Sequence, residues 1–163
     1  MEGVKDSGWG CCYRCIQALL HHCLGHAPTI TEMVDKLGYD VNSENKMSLW
    51  IEPHMAPMFQ TGANFEFSCY VRSSIIKSDH LCRRGILVDD YKKRMISTTS
   101  AKTYIQSFLS KDVPIVADNG TCAYLLVGWD NFHYYLMDPH NKEPTIIKMS
   151  YLSFFRHELW MFA

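Results

Sequence analysis

The chain has 163 residues and a formal net charge of −1, and 47% of its residues are hydrophobic and 20% charged. This balance is typical of one globular domain with its own core, so we expect a single domain over 1–163. The sequence shows no basic block for nucleic acid, and no apolar run approaches the roughly 18 residues of a membrane-spanning helix. Seven cysteines without a recognisable secretory signal predict reduced thiols in a cytoplasmic protein.

Helices are predicted first along the chain. One is expected over about 11–24, with Gly25 in the position of a left-handed cap. A second is expected over about 30–37, where Thr29 and Glu32 have the spacing of a capping box. The prolines of the following segment allow only short or broken helices there.

Strands dominate the later part of the chain. The segments VPIVAD, AYLLVGW, FHYYLMD and TIIKM are rich in β-branched and aromatic residues and are separated by turn signals, so they predict four strands. Alternation of Phe65, Phe67 and Cys69 with polar residues predicts an earlier strand, and SAKTYIQSFLSK has helical spacing. Helices followed by strands favour an α+β fold with a mainly antiparallel sheet.

Three thiols lie close together in the segment DSGWGCCYRC, residues 6–15. With a rotation of about 100° per helical residue, Cys12, Cys15 and Cys23 share one apolar stripe and are expected in the core. Cys11 lies about a quarter turn off this stripe, in the first turn, where unpaired N–H groups and the helix dipole lower the pKa of a thiol. Helical phase alone leaves a nucleophilic Cys11 and an ordinary thiol equally open. Asp6 or Ser7 leads into this helix.

A metal site is the competing interpretation of these thiols. Cys12-x-x-Cys15 has zinc-like spacing, and several further His and Cys side chains follow it. Zinc sites usually take such a close pair from a turn, however, whereas these two cysteines fall inside a predicted helix and on its core face. We therefore expect no metal and no other cofactor.

A second chemically active element follows the strand FHYYLMD. Residues two apart in an extended chain share a face, so Asp138 and His140 are expected to project together, and Pro139 stiffens the link between them. A carboxylate beside an imidazole fixes its tautomer, as a Cys–His pair requires. Taken alone, the tripeptide is more typical of a turn in which Asp138 is the turn former.

The two elements together resemble a known family. GWGCCYRCIQ, residues 8–17, resembles the motif Gly-Trp-Gly-Cys-x-Tyr-Arg-x-x-Gln of the ubiquitin-fold modifier-specific proteases, and LMDPH, residues 136–140, looks like their Asp-Pro-His segment. Between them LWI, VPIV and AYLLVG match in order and approximate spacing. The resemblance covers nearly the whole chain.

The resemblance implies a papain-like fold, in which an N-terminal nucleophile helix packs on the sheet. It implies that Cys11 is the nucleophile, His140 the general base and Asp138 its orienting partner. The family cleaves after the C-terminal glycine of a ubiquitin-fold modifier, in precursors and in conjugates, so the expected protein is a monomeric thiol protease. Trp9 and Trp50 are either walls of a narrow substrate channel or core anchors, since large aromatic side chains serve both roles.

Two features of the sequence keep alternatives open. The family carries a tyrosine about a dozen residues before the nucleophile, and its hydroxyl helps to bind the oxyanion. None of the ten residues that precede Cys11 is a tyrosine. Loss of one oxyanion donor typically costs about a hundred- to a thousandfold in rate. A catalytically weak or inactive modifier-binding module is therefore one alternative, and a protease of the related autophagy type, which shares Gly-Trp-Gly-Cys, is another.

Overall fold

The computed structural model describes residues 6–60, 64–72, 93–95, 97–140, 143, 145–157 and 159–163. Its helices are α1 (Cys11–Leu24), α2 (Ile30–Lys36), α3 (Thr98–Leu109) and α4 (Tyr151–Phe154), with 3₁₀ helices at Lys46–Leu49 and Pro53–Met58. Within these ranges, no helix combines the length and the apolar character that crossing a membrane requires.

One sheet contains the seven strands of the described residues: β1 (Ser68–Val71), β2 (Lys93–Met95), β3 (Ile115–Asp118), β4 (Ala123–Trp129), β5 (His133–Asp138), β6 (Thr145–Ser150) and β7 (Leu159–Phe162). Their spatial order is β2-β1-β7-β3-β4-β5-β6. The β1–β2 pair is parallel and every other neighbouring pair is antiparallel. The protein therefore has the mixed helix and antiparallel sheet of the α+β class.

The two faces of the central strands contribute to different hydrophobic clusters. Val116 and Leu125 join a cluster with α1, α2 and the second 3₁₀ helix. Ile115 and Leu126 join another with α3 and the aromatic residues around α4. Because side chains alternate along a strand, this arrangement buries both faces of the sheet.

Helix α1 confirms most of its predicted features. It spans Cys11–Leu24, and Gly25 caps it in the left-handed conformation with φ of 76°. Cys12 and Cys15 are buried as expected, but the prediction for Cys23 is wrong because this residue is exposed. The whole last turn of α1 is exposed, so its helical phase no longer decides burial there.

The strands confirm the predictions unevenly. AYLLVGW coincides with β4, and FHYYLMD contains β5. The strand predicted from the alternation of Phe65, Phe67 and Cys69 is only partly present. Phe65 and Phe67 precede β1 and stack on each other with ring centroids 6.2 Å apart. All four residues of β1 are buried because both faces of the sheet are covered.

Candidate active site

The turn before α1 is closed by Asp6. Its backbone carbonyl accepts hydrogen bonds from Trp9 N at 3.2 Å and Gly10 N at 2.8 Å. Its carboxylate pairs with the guanidinium of Arg14, one turn into the helix, through Arg14 Nε and through Nη2 to Oδ1 at 3.0 Å. The side chain of Asp6 is thus used for the ion pair and does not cap α1. The N-cap is Gly10, without a side-chain hydrogen bond.

Gly10 explains why the motif has a glycine directly before the cysteine. A Cβ at this position would overlap the side chain of Asp6. The ion pair of Asp6 with Arg14 therefore requires a residue without a side chain between them. Together these contacts fix where α1 begins and thus where Cys11 lies.

Cys11 occupies the first turn of α1 but is more buried than the sequence predicted. Only 8% of the residue is exposed. Burial raises the pKa of the Cys11 thiol to about 11, although hydrogen bonds with the backbone of Ala123 and Cys12 lower it, and the negative charge of Asp118 adds to the rise. The expectation of an accessible thiol with a lowered pKa is therefore wrong, because desolvation outweighs the helix terminus.

The other two thiols of the motif are core residues. Cys12 and Cys15 are 1% and 0% exposed, and burial raises the pKa of each well above the ordinary value. Both lie inside α1 rather than in a turn. Within the described ranges, no group of three His, Cys, Asp or Glu side chains is arranged to hold a metal ion.

Asp138 and His140 lie together at the end of β5. Asp138 Oδ1 accepts the backbone N–H of His140 at 2.9 Å and lies 2.6 Å from His140 Nδ1. A carboxylate only accepts hydrogen bonds, so Nδ1 carries the proton and Nε2 is left as the basic nitrogen of a neutral ring. The turn and the oriented imidazole are thus the same structure, and the two interpretations of the tripeptide are compatible.

A cleft of about 240 Å³ brings the two elements together. Its walls include Trp9, Cys11, Trp50, Thr121, Cys122 and His140. The nucleophile candidate from α1 and the imidazole that follows β5 therefore face the same space. Among the described residues that line the cleft, none is a tyrosine.

The two tryptophans differ in exposure. Trp9 is 1% exposed and packs edge-on against Tyr13, with ring centroids 5.4 Å apart, while one side of it borders the cleft. Trp50 is half-buried and also lines the cleft. Trp9 is thus a core anchor that also forms part of a wall, whereas Trp50 retains a surface that a ligand can contact.

The hairpin between β3 and β4 is the part of the site that sequence reasoning missed. Thr121 and Cys122 lie in its turn and line the cleft. Asp118, the last residue of β3, is fully buried, and burial raises the pKa of its carboxyl group to about 6. The available signal was an acidic residue ending an apolar strand directly before the turn formers Asn119 and Gly120.

Comparison of the chain with protein-family models, with curated proteins and with solved structures finds no match. A thiol at a helix start and a carboxylate-oriented imidazole in one cleft are the groups that nucleophilic attack on a carbonyl requires.

Proposed function

We propose that this protein is a thiol protease with a papain-like fold that cleaves after the C-terminal glycine of a ubiquitin-fold modifier. The observation that carries the proposal is that Cys11 and His140, which is oriented by Asp138, line one cleft. The motifs around these residues resemble those of the modifier-specific proteases, and α1 packs on the sheet as that resemblance implies. Both precursor maturation and release of the modifier from conjugates fit this chemistry.

The reaction begins from a neutral thiol. As Cys11 Sγ attacks the carbonyl carbon of the last glycine, its proton passes to His140 Nε2. The imidazolium then protonates the leaving amine, the C–N bond breaks, and a thioester remains on Cys11. Water attacks the thioester with His140 as general base, the modifier leaves with a free carboxylate, and the proton returns to the thiol.

Asp138 and the start of α1 assist this course. Asp138 stabilises the imidazolium that forms at His140 and keeps Nε2 turned towards the cleft. The N–H of Cys11 belongs to the first turn of α1, where backbone donors have no partner within the helix. We propose it as a donor to the developing oxyanion. The cleft is small, which suits a thin tail that ends in glycine.

The proposed partner is the modifier, as a precursor or a conjugate, and we propose a monomeric cytoplasmic enzyme. We assign neither nucleic acid nor membrane insertion to it. The direct test is turnover of two precursors in parallel, one of a ubiquitin-fold modifier of the family and one of an autophagy modifier. Cleavage of the first alone supports the proposal, and cleavage of the second alone transfers the same chemistry to the autophagy substrate.

A modifier-binding module without activity is the second candidate. It is favoured by the burial of Cys11, whose pKa is raised to about 11, and by a cleft in which no tyrosine is found among the described lining residues. A binding measurement beside the turnover assay separates the two. Binding of the modifier without cleavage, equal for the native chain and Cys11→Ser, would establish the module and reject the protease.

A further inference from the structure

The buried carboxylate of Asp118 lies where the hairpin meets the cleft. Asp118 pairs with Ala123 across the β3–β4 ladder and with Met161 of β7 on the other side. Its Oδ1 accepts the N–H of Gly120 at 2.6 Å, and Gly120 adopts the left-handed conformation with φ of 79°. Oδ1 therefore closes the turn that carries Thr121 and Cys122 into the cleft wall.

The second oxygen of the Asp118 carboxylate, Oδ2, does not take part in closing the turn. Asp118 is 0% exposed, and Oδ2 has no hydrogen-bond partner among the described residues. A buried carboxylate oxygen without a partner is costly, because a charge in a poorly solvated site is compensated only by hydrogen bonds or by an opposite charge. No cation is paired with Asp118 in the described ranges.

Four thiols are affected by the charge of Asp118. The charge of Asp118 acts on Cys11, Cys12 and Cys15 of α1 and on Cys122 of its own hairpin, and it disfavours the thiolate of each. Glu52, which precedes the second 3₁₀ helix and is paired with His54, adds another negative charge nearby. Strand β7 contributes no titratable side chain at its pairing position, Met161.

We propose that Asp118 is a positioning residue of the cleft with two separable actions. Its Oδ1 holds the turn that forms the Thr121–Cys122 wall. Its negative charge adds to burial in keeping the Cys11 thiol protonated, since this thiol is hydrogen-bonded to the backbone of Ala123, the strand partner of Asp118. The second action guards the nucleophile, because a neutral thiol reacts slowly with oxidants and with stray electrophiles. The purpose of this protection rests on the proposed protease function, whereas the effect of Asp118 on the Cys11 thiol does not.

The first test is the pH profile of Cys11 alkylation in Asp118→Asn. Asparagine retains an oxygen acceptor for Gly120 N–H but removes the charge. We expect the alkylation midpoint of Cys11, followed by peptide mass spectrometry, to move to lower pH. The rate at pH 8 should rise about fivefold or more, as expected when a nearby unit charge is removed. An unchanged midpoint in a folded Asp118→Asn chain would overturn the proposed electrostatic action.

Asp112→Asn is the matched control. It removes one negative charge from an exposed side chain that pairs with His22 rather than with any group of the cleft. Asp112 has φ of 58°, a conformation that asparagine tolerates. The Cys11 midpoint should stay in place, and a shift equal to that of Asp118→Asn would show a general charge effect and contradict the proposal.

A second measurement leaves Asp118 intact. The alkylation rate of Cys11 is followed from pH 5 to 8 in His140→Ala, which lacks the imidazole that shares the cleft with Cys11. Asp118 gains its charge near pH 6, and this charge disfavours the thiolate of Cys11. The alkylation rate should therefore rise less than tenfold per pH unit near pH 6, and tenfold per unit at lower and at higher pH. A tenfold rise per unit throughout would overturn the proposal even if Asp118→Asn fails to fold.

Asp118→Ala tests the positioning action. It removes both the charge and the acceptor for Gly120 N–H, so the Cys11 midpoint should fall as in Asp118→Asn, while Cys122 in the released turn should be alkylated faster. Equal Cys122 rates in the alanine and asparagine variants would contradict the role of Oδ1. Alkylation needs no modifier, so these results stand or fall independently of the cleavage assays.

Discussion

At the scale of single residues, Cys11 is subject to opposing influences. Its place in the first turn of α1 favours the thiolate, whereas burial and the charge of Asp118 favour the thiol. Burial is the larger effect, and the pKa of Cys11 is raised to about 11. In the proposed reaction, proton transfer to His140 therefore has to accompany attack, so the proposed chemistry resembles that of a serine triad more than that of a preformed thiolate–imidazolium pair.

Exposure predicts the order in which the thiols react. Iodoacetamide should modify the exposed Cys23 first and Cys11 later, and Cys12 and Cys15 last, because Cys11 is 8% exposed and the two core thiols 1% and 0%. Mass spectrometry of peptides after timed alkylation gives the order. Modification of either core thiol before Cys11 would contradict the placement of α1.

The neutral thiol also makes the tautomer of His140 important. Asp138→Asn removes the charge that holds Nδ1–H, so we expect a loss of turnover approaching the roughly four orders of magnitude seen for this change in serine triads. His140→Ala should cost at least as much. The matched control is Asp130→Asn, which alters a similar pair with His133 at 3.0 Å at the other end of β5. The measurement is the turnover of all three variants. Equal losses in Asp138→Asn and Asp130→Asn would reject the proposed role of Asp138.

Asp118 makes stability depend on pH. Burial raises the pKa of its carboxyl group from 3.8 to about 6, so between these pH values the folded chain binds more protons there than the unfolded chain, and this contribution to stability falls as pH rises. Once Asp118 is ionised, the difference corresponds to a cost of at most about 3 kcal/mol.

Asp118→Asn should therefore be more stable than the native chain at pH 7, by up to about 3 kcal/mol, and should lose this advantage towards pH 4. Urea unfolding at the two pH values measures the difference. The prediction is contradicted if Asp118→Asn is less stable than the native chain at pH 7 but not at pH 4.

At the scale of elements, the turn before α1 and the helix itself form one unit. The carbonyl of Asp6 closes the turn, and its carboxylate binds Arg14 over the position of Gly10. The unit places Cys11 against Ala123 of β4. A change in the turn should therefore alter both the stability of α1 and the position of Cys11.

Gly10→Ala tests this unit. The added Cβ meets the Asp6 side chain, so we expect a loss of about 1–3 kcal/mol in the free energy of unfolding together with a fall in turnover. Gly128→Ala is the control, since its Cβ would meet only Tyr135 at ordinary distance and should change stability by no more than about 0.5 kcal/mol. Thermal unfolding and turnover of both variants test the prediction, which fails if Gly10→Ala behaves like the control.

Local sequence signals were sufficient for the elements that they specify. The left-handed Gly25 ended α1 where expected, the capping box of Thr29 and Glu32 formed, and AYLLVGW became β4. Strands β2 and β7 were not predicted, because each is short and is defined by pairing with distant segments rather than by its own pattern. Burial of Cys11 was missed for the same reason, since it depends on the approach of β4 to α1.

At the scale of the whole molecule, the cleft joins residues from opposite ends of the chain. Cys11 begins the first helix and His140 follows the fifth strand, and they share a cleft because α1 packs on the same face of the sheet as Val116, Ala123 and Leu125. No local pattern relates residues so far apart. The sequence linked them only through the combination of the two motifs, whereas the sheet order explains their meeting.

The proposed reaction begins when Cys11 attacks the carbonyl carbon of the last glycine of a ubiquitin-fold modifier. The most direct measurement uses a modifier that carries a cysteine-reactive electrophile in place of the bond to be cleaved, followed by mass spectrometry of the adduct. We expect one adduct, on Cys11, which is absent in Cys11→Ser and forms more slowly in His140→Ala. Absence of an adduct on the native chain, or an adduct on Cys122 or Cys23 instead, would contradict the claim.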